Sequence, residues 1–395
     1  NTYSLADDAI TSAKIADDAI TSALIADNAV VTAAIADDAV TSAKTTVSAP
    51  NPNLIINGDM AIAQRGTSST SSGIKTVDRW NALWTGGGIT QSQVALTSGG
   101  AYDEGHRHAF KMAVTSTNSA NNRYAQMRYI PEAKDIRNFG WQYTSGSSYI
   151  TVSFWAKSSL AGTYFFSMYG PDSGTAQIYS TSYALSADTW TKVTKTIPGG
   201  SNIVLNDDTG IGFYIDIRLD LGTDYTASDA TINAWNDRVA SDAKTTTDFA
   251  QSWFNTANAT FEVTGVKLEV GQSATTFEKL DYTAEFQRCQ RYYWTIRGDE
   301  GQDYSNNYGF LVQWSSSRFS GWNPSWTQNF PVEMRAIPTT TIVGTWASSN
   351  AGTPGLGGYK SKMTAIILLS GTTATSGTYM HFNSTDDAIT FDAEL

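Results

Sequence analysis

The chain has 395 residues, of which 12% are aromatic and 16% charged, and its formal net charge is −11. Nucleic acids and anionic membrane surfaces are poor candidate partners, because both are bound through clusters of lysine and arginine that this sequence lacks. The single cysteine, Cys289, excludes an intrachain disulfide, and the longest strongly apolar run, residues 365–369, is too short to span a bilayer. Short strand-like runs between Gly, Ser, Asn and Asp clusters predict an all-β protein.

A ten-residue unit repeats four times over residues 5–44, reading LADDAITSAK, IADDAITSAL, IADNAVVTAA and IADDAVTSAK. One short apolar side chain in every five residues cannot close a core within a single chain. A repeat of fixed period buries its apolar face against copies of itself or against other chains. We therefore predict a trimeric shaft over residues 1–49, with these aliphatic residues between the chains: Leu5, Ile10, Ile15, Ile20, Ile25, Val30, Ile35 and Val40.

The period of this repeat bears on its backbone conformation. A helix turns about 100° per residue, so a five-residue step rotates the apolar position by roughly 140° and forms no stripe. Acidic pairs between short Ile-Thr and Val-Thr pieces are typical of turns. We favour short extended segments joined by acidic turns; a supercoiled helical trimer and a disordered linker are the alternatives.

Strand-like runs recur after the repeat and predict a β-sandwich over residues 50–281. The predicted strands lie near 53–57, 88–97, 107–115, 123–130, 148–158, 163–169, 189–198, 210–221 and 260–271. The clearest alternation is in residues 210–221, where Ile211, Phe213 and every second residue to Leu221 are apolar. Period 2 predicts one core-facing side and one solvent-facing side, the latter with Tyr214 to Asp220. A jelly-roll sandwich is the most economical arrangement of so many strands.

Several motifs carry a family resemblance over residues 53–293. The motifs are Asn53–Asp59, Gln64–Gly66, Asp78–Trp80, Phe261–Gly271, Thr276–Glu278 and Glu285–Tyr293. Together they resemble the carbohydrate-binding-module-like jelly roll found in bacteriophage tail fibres and other virion appendages. The decapeptide repeat also resembles shaft segments of phage fibres, especially those of cyanophage-like marine viruses. The resemblance implies a short helical linker over residues 282–293 that leaves the sandwich.

The C-terminal segment, residues 294–395, predicts a small β domain at the fibre tip, which trimerises or displays an aromatic surface. Its predicted strands lie near 307–315, 338–346, 362–370 and 378–383. Phe330–Thr339 resembles an FPxxMR…PT element of tail-fibre terminal domains, and Ile389–Leu395 resembles the usual end of those chains.

Two groups of residues have the composition of a sugar site, in which aromatic rings stack on a pyranose and polar groups bind its hydroxyls. One is the row Tyr214, Asp216 and Arg218. On a neighbouring strand it is joined by Tyr124, Gln126 and Arg128. The other runs from Trp314 through Trp322 to Trp326, with Tyr304 and Tyr308. Core packing or a subunit interface are the alternative roles of these aromatic residues.

Evidence for metal binding or catalysis is weak in the sequence. Residues 103–108 hold two carboxylates and two histidines, yet no third ligand of defined spacing follows, so we expect a solvated loop. The resemblance implies a structural Ca²⁺, for which Asp59 is a possible ligand; no other cofactor is expected. No Gly-x-Ser-x-Gly elbow is present, and we expect Cys289 to be packed rather than nucleophilic. The prediction is a protein that is not an enzyme.

These expectations combine into one functional hypothesis. The chain is predicted to be a homotrimeric phage tail fibre that binds polysaccharide on the host cell surface during adsorption. It would assemble with other virion proteins in the host cytoplasm, because no secretory signal opens the sequence. The alternatives are a purely structural tail connector and a tailspike depolymerase. A depolymerase of that kind usually has a long β-helix, whose regular period is not visible after residue 50.

Overall fold

The computed structural model describes residues 51–172, 174–238, 245–297, 312–314, 325–344, 347–349, 354–369, 378–381 and 387–395. These residues fall in one compact unit, Asn51–Leu395. The predicted shaft, with its eight aliphatic positions from Leu5 to Val40, lies outside the described residues. Its trimeric character and its backbone conformation therefore remain predictions.

Two six-stranded antiparallel sheets form a β-sandwich, which confirms the all-β prediction. In spatial order, the first sheet contains β1 (Ser68–Ser69), β3 (Gly88–Ala95), β4 (His108–Ser116), β12 (Thr260–Val270), β6 (Tyr149–Ser158) and β9 (Thr191–Pro198). The second sheet contains β11 (Trp235–Asp237), β8 (Gln177–Leu185), β7 (Gly162–Gly170), β10 (Tyr214–Leu221), β5 (Tyr124–Tyr129) and β2 (Trp80–Trp84). Most neighbouring strands in these sheets are distant in sequence, so the sheets depend on long-range pairing.

The core lies between the two sheets, where inward side chains of both meet. Phe154 of β6 stacks on Phe166 of β7 with ring centroids 6.2 Å apart, and Tyr164 of β7 packs edge-on against Phe261 of β12 at 5.0 Å. All four side chains are fully buried. Aromatic pairs of this kind join the sheets through large apolar surfaces removed from water.

The predicted strand at residues 53–57 is wrong, because this segment forms turns instead. The side chain of Asn53 explains the difference: its Oδ1 accepts hydrogen bonds from the backbone N–H of Ile55 and of Leu268, both at 3.0 Å. The Tyr129 hydroxyl accepts a further bond from the Ile56 N–H at 2.9 Å. Side chains thus satisfy backbone groups that a neighbouring strand would otherwise bind.

Three short α-helices, a 3₁₀ helix (Trp253–Asn255) and nine further strands complete the described part of the chain. The α-helices are α1 (Gly100–Asp103), α2 (Ala133–Arg137) and α3 (Tyr282–Gln290), the last of which lies within the predicted linker, residues 282–293. The nine strands form three three-stranded sheets. The first contains β13 (Tyr293–Arg297), β21 (Ala388–Asp392) and β16 (Thr339–Val343), in spatial order, and the second contains β14 (Val312–Trp314), β20 (Thr378–His381) and β17 (Ala347–Ser349). The third contains β15 (Ser325–Asn329), β19 (Thr364–Leu369) and β18 (Pro354–Lys360). A second buried cluster includes Phe330, Met334 and Phe391.

Candidate functional site

The outer face of the second sheet carries a cavity of about 430 Å³. It is lined by Tyr214, Asp216 and Arg218 of β10 together with Tyr124, Gln126 and Arg128 of β5, so the structure brings together all six residues of the first predicted group. The expected solvent exposure is wrong, however, because Asp216 is 1% exposed and Arg218 is 9% exposed. Polar side chains on this face therefore contact one another inside a pocket.

A β-bulge near the end of β10 changes which residues face the cavity. Arg218 is opposite Gln126, but Asp220 is opposite Ala125, so one extra residue lies between them. An inserted residue reverses the alternation of side chains beyond it. Asp220 is therefore fully buried and accepts hydrogen bonds from Phe254 N (2.8 Å) and Arg123 Nε (3.2 Å). Leu221 lines the cavity, where the sequence pattern had predicted a core position.

An ion pair lines the cavity. Arg128 donates to both carboxylate oxygens of Asp216, from Nε at 2.6 Å and from Nη2 at 2.9 Å. Arg218 reaches the same carboxylate at 3.4 Å and donates from Nε to Ser167 Oγ at 2.9 Å. Burial alone would lower the pKa of Arg128, but Asp216 outweighs burial and raises it. Burial prevails for Arg218, whose pKa is lowered.

Four side chains form a continuous stack across this face. Tyr169 and Tyr214, opposite each other on β7 and β10, stack nearly parallel with centroids 5.4 Å apart. Arg128 lies 4.4 Å from the Tyr214 centroid, and Arg238 lies 4.6 Å from the Tyr169 centroid. Because β10 lies between β7 and β5, Tyr169 and Arg128 cover opposite faces of Tyr214. The ring of Tyr214 therefore presents its edge and hydroxyl.

A second aromatic pair lines the cavity and stays partly exposed. Tyr124 and Tyr225 meet edge to face, with centroids 6.1 Å apart and an interplanar angle of 75°. A T-shaped pair covers only one of its four ring faces. Both residues are half-buried, and Leu221 lines the same cavity. This pair, rather than Tyr214, offers an aromatic platform to a ligand.

Sequence reasoning missed Tyr169, Tyr225 and Arg238 as lining residues. No local signal marks them, because they join the site through strand pairing and through the segments that follow β10 and β11. The cross-strand pair Tyr169–Tyr214 required the register of β7 against β10. Tyr225 and Arg238 required the path of the chain after those strands. Thr245 also lines the cavity, and its buried hydroxyl has no hydrogen-bond partner in the described structure.

The second predicted aromatic group is only partly placed. Trp314 ends β14, opposite Thr378, and Trp326 lies in β15, opposite Ile367. Trp322, Tyr304 and Tyr308 lie outside the described residues. A ligand-binding role for this group stays a prediction.

Two of the residues considered for metal binding, His106 and Asp59, contact each other. His106 is buried, contacts the Asp59 carboxylate through Nδ1, and packs edge-on against Phe277. Lys279 approaches the other oxygen of Asp59 at 3.2 Å. Among the described residues, no group of three His, Cys, Asp or Glu side chains is placed to hold a metal ion. A carboxylate held between an ammonium and an imidazole does not fit a Ca²⁺ ligand set.

No family model matches the chain, and no curated protein matches it. Among solved structures, the chain is similar to the enzymatically active domain of tailspike protein 4 of bacteriophage CBA120, with 10% identity and a TM-score of 0.31. That match covers 55% of this chain and 21% of the tailspike chain, so this chain spans about a fifth of that structure.

Two further structures are similar over a comparable part of the chain. One is a putative sugar binding protein from Bacteroides thetaiotaomicron, with 14% identity and a TM-score of 0.29, covering 56% of this chain and all of that one. The other is a family 11 carbohydrate-binding module from Clostridium thermocellum in complex with a mixed-linked tetrasaccharide. It has 13% identity and a TM-score of 0.24, covering 53% of this chain and 97% of that one. In the described part of this chain, no helix is long and apolar enough to cross a membrane.

Proposed function

We propose that this protein binds glycans on a host cell surface through the cavity on the second sheet, as part of a homotrimeric phage tail fibre. The observation that carries the glycan site is the juxtaposition of half-exposed tyrosine rings and a fixed ion pair within one cavity of about 430 Å³. A pyranose has apolar C–H faces and a rim of hydroxyls. A ring platform beside oriented N–H donors and carboxylate oxygens complements both features.

The polar part of the cavity is organised before a ligand arrives. Arg128 holds Asp216 through two hydrogen bonds, and Arg218 is held by Ser167. Groups that are already fixed lose little conformational freedom on binding, so more of the interaction energy contributes to affinity. Tyr124 and Tyr225 supply the apolar contact at the other side of the cavity.

The glycan role is tested by removing the open platform. The change Tyr225→Ala deletes a half-buried ring that contacts Tyr124, and we expect glycan affinity to fall about tenfold or more, equivalent to ~1.4 kcal/mol. Tyr102→Ala is the matched control, because Tyr102 is also a half-buried tyrosine whose ring packs against one neighbouring side chain, that of Arg107 at 4.0 Å. It lies away from the cavity-lining residues.

Glycan-array binding followed by titration calorimetry measures both variants. Loss of binding in Tyr225→Ala, with Tyr102→Ala unchanged, supports the site. Equal glycan binding by the unmodified protein, Tyr225→Ala and Tyr102→Ala would show that the glycan site does not lie in this cavity. A silent array with the unmodified, folded trimer would instead favour the purely structural connector.

We propose binding without cleavage. Glycoside hydrolysis commonly uses a pair of carboxyl groups, one of which must deliver a proton. Asp216 is the one carboxylate among the described residues that line the cavity, and both its oxygens accept hydrogen bonds from Arg128. Incubation with a bound polysaccharide should release no new reducing ends; release that is lost in Asp216→Asn would instead favour the depolymerase alternative.

The trimeric fibre role rests on the decapeptide repeat, whose regularly spaced aliphatic residues need partner chains. Three chains per fibre would present three copies of a weak site and raise avidity without new contacts. Size-exclusion chromatography with light scattering should report three chains, and a monodisperse monomer would contradict this assembly. Electron microscopy of a particle with this chain labelled tests its place in the virion.

A further inference from the structure

The cavity on the second sheet has an unusual charge for this protein. Although the whole chain has a net charge of −11, the described lining residues include three arginines, Arg128, Arg218 and Arg238, against one carboxylate, Asp216. This leaves a formal surplus of two positive charges within one pocket. Partly enclosed charges are screened less by salt than charges on the open surface.

Asp216 does not fully compensate its neighbours. Its two carboxylate oxygens are shared between two arginines. The shortest distance from the carboxylate is 2.6 Å to Arg128 and 3.4 Å to Arg218. Arg218 is almost fully buried and has a lowered pKa because of burial, so its positive charge lacks the surroundings that would stabilise it fully. Burying a cation is costly until a counter-charge is present.

Arg238 adds a cation at the other end of the stack. Its guanidinium lies over Tyr169 at 4.6 Å, and the residue is exposed. Guanidinium groups bind carboxylate and sulfate groups with paired N–H donors, a geometry that a neutral hydroxyl matches less well. An acidic group bound by Arg238, which follows β11, would therefore lie in a cavity whose other two arginines come from β5 and β10.

We propose that the cavity selects an anionic saccharide, whose carboxylate or sulfate binds Arg238 while a sugar ring packs against Tyr124 and Tyr225, and that Arg128 and Arg218 add positive charge to the same cavity. This inference rests on the proposed glycan-binding function and specifies its ligand class. The negative net charge of the chain disfavours loose attachment to polyanions in general, so binding depends on the pocket.

Affinity electrophoresis of the full chain tests this ligand class. The gels contain alginate, polygalacturonate or hyaluronate, each compared with its carboxyl-reduced neutral form, and a set of neutral glucans and xylan. We expect retardation by at least one acidic polymer and at least tenfold weaker binding to its reduced form. The binding should weaken as salt rises from 50 to 500 mM, because the contact is ionic.

Arg238→Gln and Arg107→Gln form a matched pair of variants. Each removes one exposed arginine that lies over a tyrosine ring, at 4.6 Å for Arg238 and 4.0 Å for Arg107, and each changes the net charge equally. Only Arg238 lines the cavity. We expect about fivefold weaker binding of the acidic polymer in Arg238→Gln and no change in Arg107→Gln.

An equal loss of acidic-polymer binding in Arg238→Gln and Arg107→Gln would show that the acidic polymer does not bind in the cavity. Binding of a neutral polymer at least as tight as its acidic counterpart, and sensitive to Tyr225→Ala, would overturn the anionic selectivity while leaving the proposed glycan site intact. Absence of binding to every acidic and neutral polymer would overturn the glycan function itself.

Discussion

Arg79 and Glu394 form a buried ion pair that joins the sandwich to the last residues of the chain. The guanidinium of Arg79 also donates to the Ile130 carbonyl and lies 3.5 Å from the centroid of the Tyr292 ring. Tyr292 follows α3, so three segments far apart in sequence meet at one cation. These contacts join the Asp78–Trp80 motif to the closing residues of the chain.

Removing the charge of Glu394 should destabilise the fold strongly. Glu394→Gln leaves Arg79 as an uncompensated cation with a side chain that is 1% exposed, and we expect a loss of about 3 kcal/mol. The control is Glu104→Gln, which breaks an exposed pair with Lys192 and should cost less than about 1 kcal/mol. Urea denaturation midpoints compare the two variants, and similar small losses would show that the Arg79 pair contributes little.

Asp78 should make stability fall as pH rises through the weakly acidic range. Burial raises the pKa of Asp78 from 3.8 to about 6, against the opposing effects of Arg65 and of hydrogen bonds from Gln64. The folded state then binds the proton more tightly than the unfolded state. The stabilisation that the protonated Asp78 carboxyl contributes is therefore fully present below about pH 4 and is lost as pH rises through about 6. Within that window the free energy of unfolding falls by about 1.4 kcal/mol per pH unit.

The variant Asp78→Asn isolates this effect, because it removes the titrating group. Urea midpoints of both proteins are measured from pH 4 to pH 7. We expect the difference in unfolding free energy between wild type and variant to change across this window and to level off above it. A constant difference would show that Asp78 does not titrate there.

Tyr214 should contribute mainly to the stability of the fold, and Tyr225 mainly to glycan binding. Both faces of Tyr214 are covered by Tyr169 and Arg128, so Tyr214→Ala should lower stability by about 2–3 kcal/mol through lost packing. Tyr225→Ala should lower stability by less than about 1 kcal/mol and reduce glycan binding instead. Thermal denaturation and titration calorimetry on the same samples separate the two effects. The reverse result would identify Tyr214 as the platform.

Asn53 should be essential to the turn that replaces the predicted first strand. Its side chain accepts from Ile55 N and Leu268 N and donates to Val266 O, each at 3.0 Å. Asn53→Ala leaves these backbone groups without their partner, and we expect a loss of about 2–4 kcal/mol. Asn51→Ala is the control, because exposed Asn51 donates only one side-chain bond, to Val270 O. Equal urea midpoints for both variants would contradict this role.

Much of the candidate site was predictable from the sequence. The alternation of Ile215 and Ile217 with Asp216 and Arg218 predicted one strand with an apolar and a polar side. The pairing of this strand with residues 124–128 was also anticipated, and β10 does pair with β5. The burial of Asp216 was not predictable, because it depends on tyrosines and arginines contributed by other strands.

What the sequence by itself determined is local: strands of period 2, the helix that Asp281 caps by accepting a bond from Ala284 N, and an all-β fold with few charged residues. These features follow from the conformational preferences and polarity of neighbouring residues. Only the tertiary structure decided that the bulge in β10 turns Asp220 inward and Leu221 toward the cavity. It also decided that Tyr225 and Arg238 join Arg128 there. Such contacts depend on strand register and chain path, which the packing of the entire sandwich selects at once.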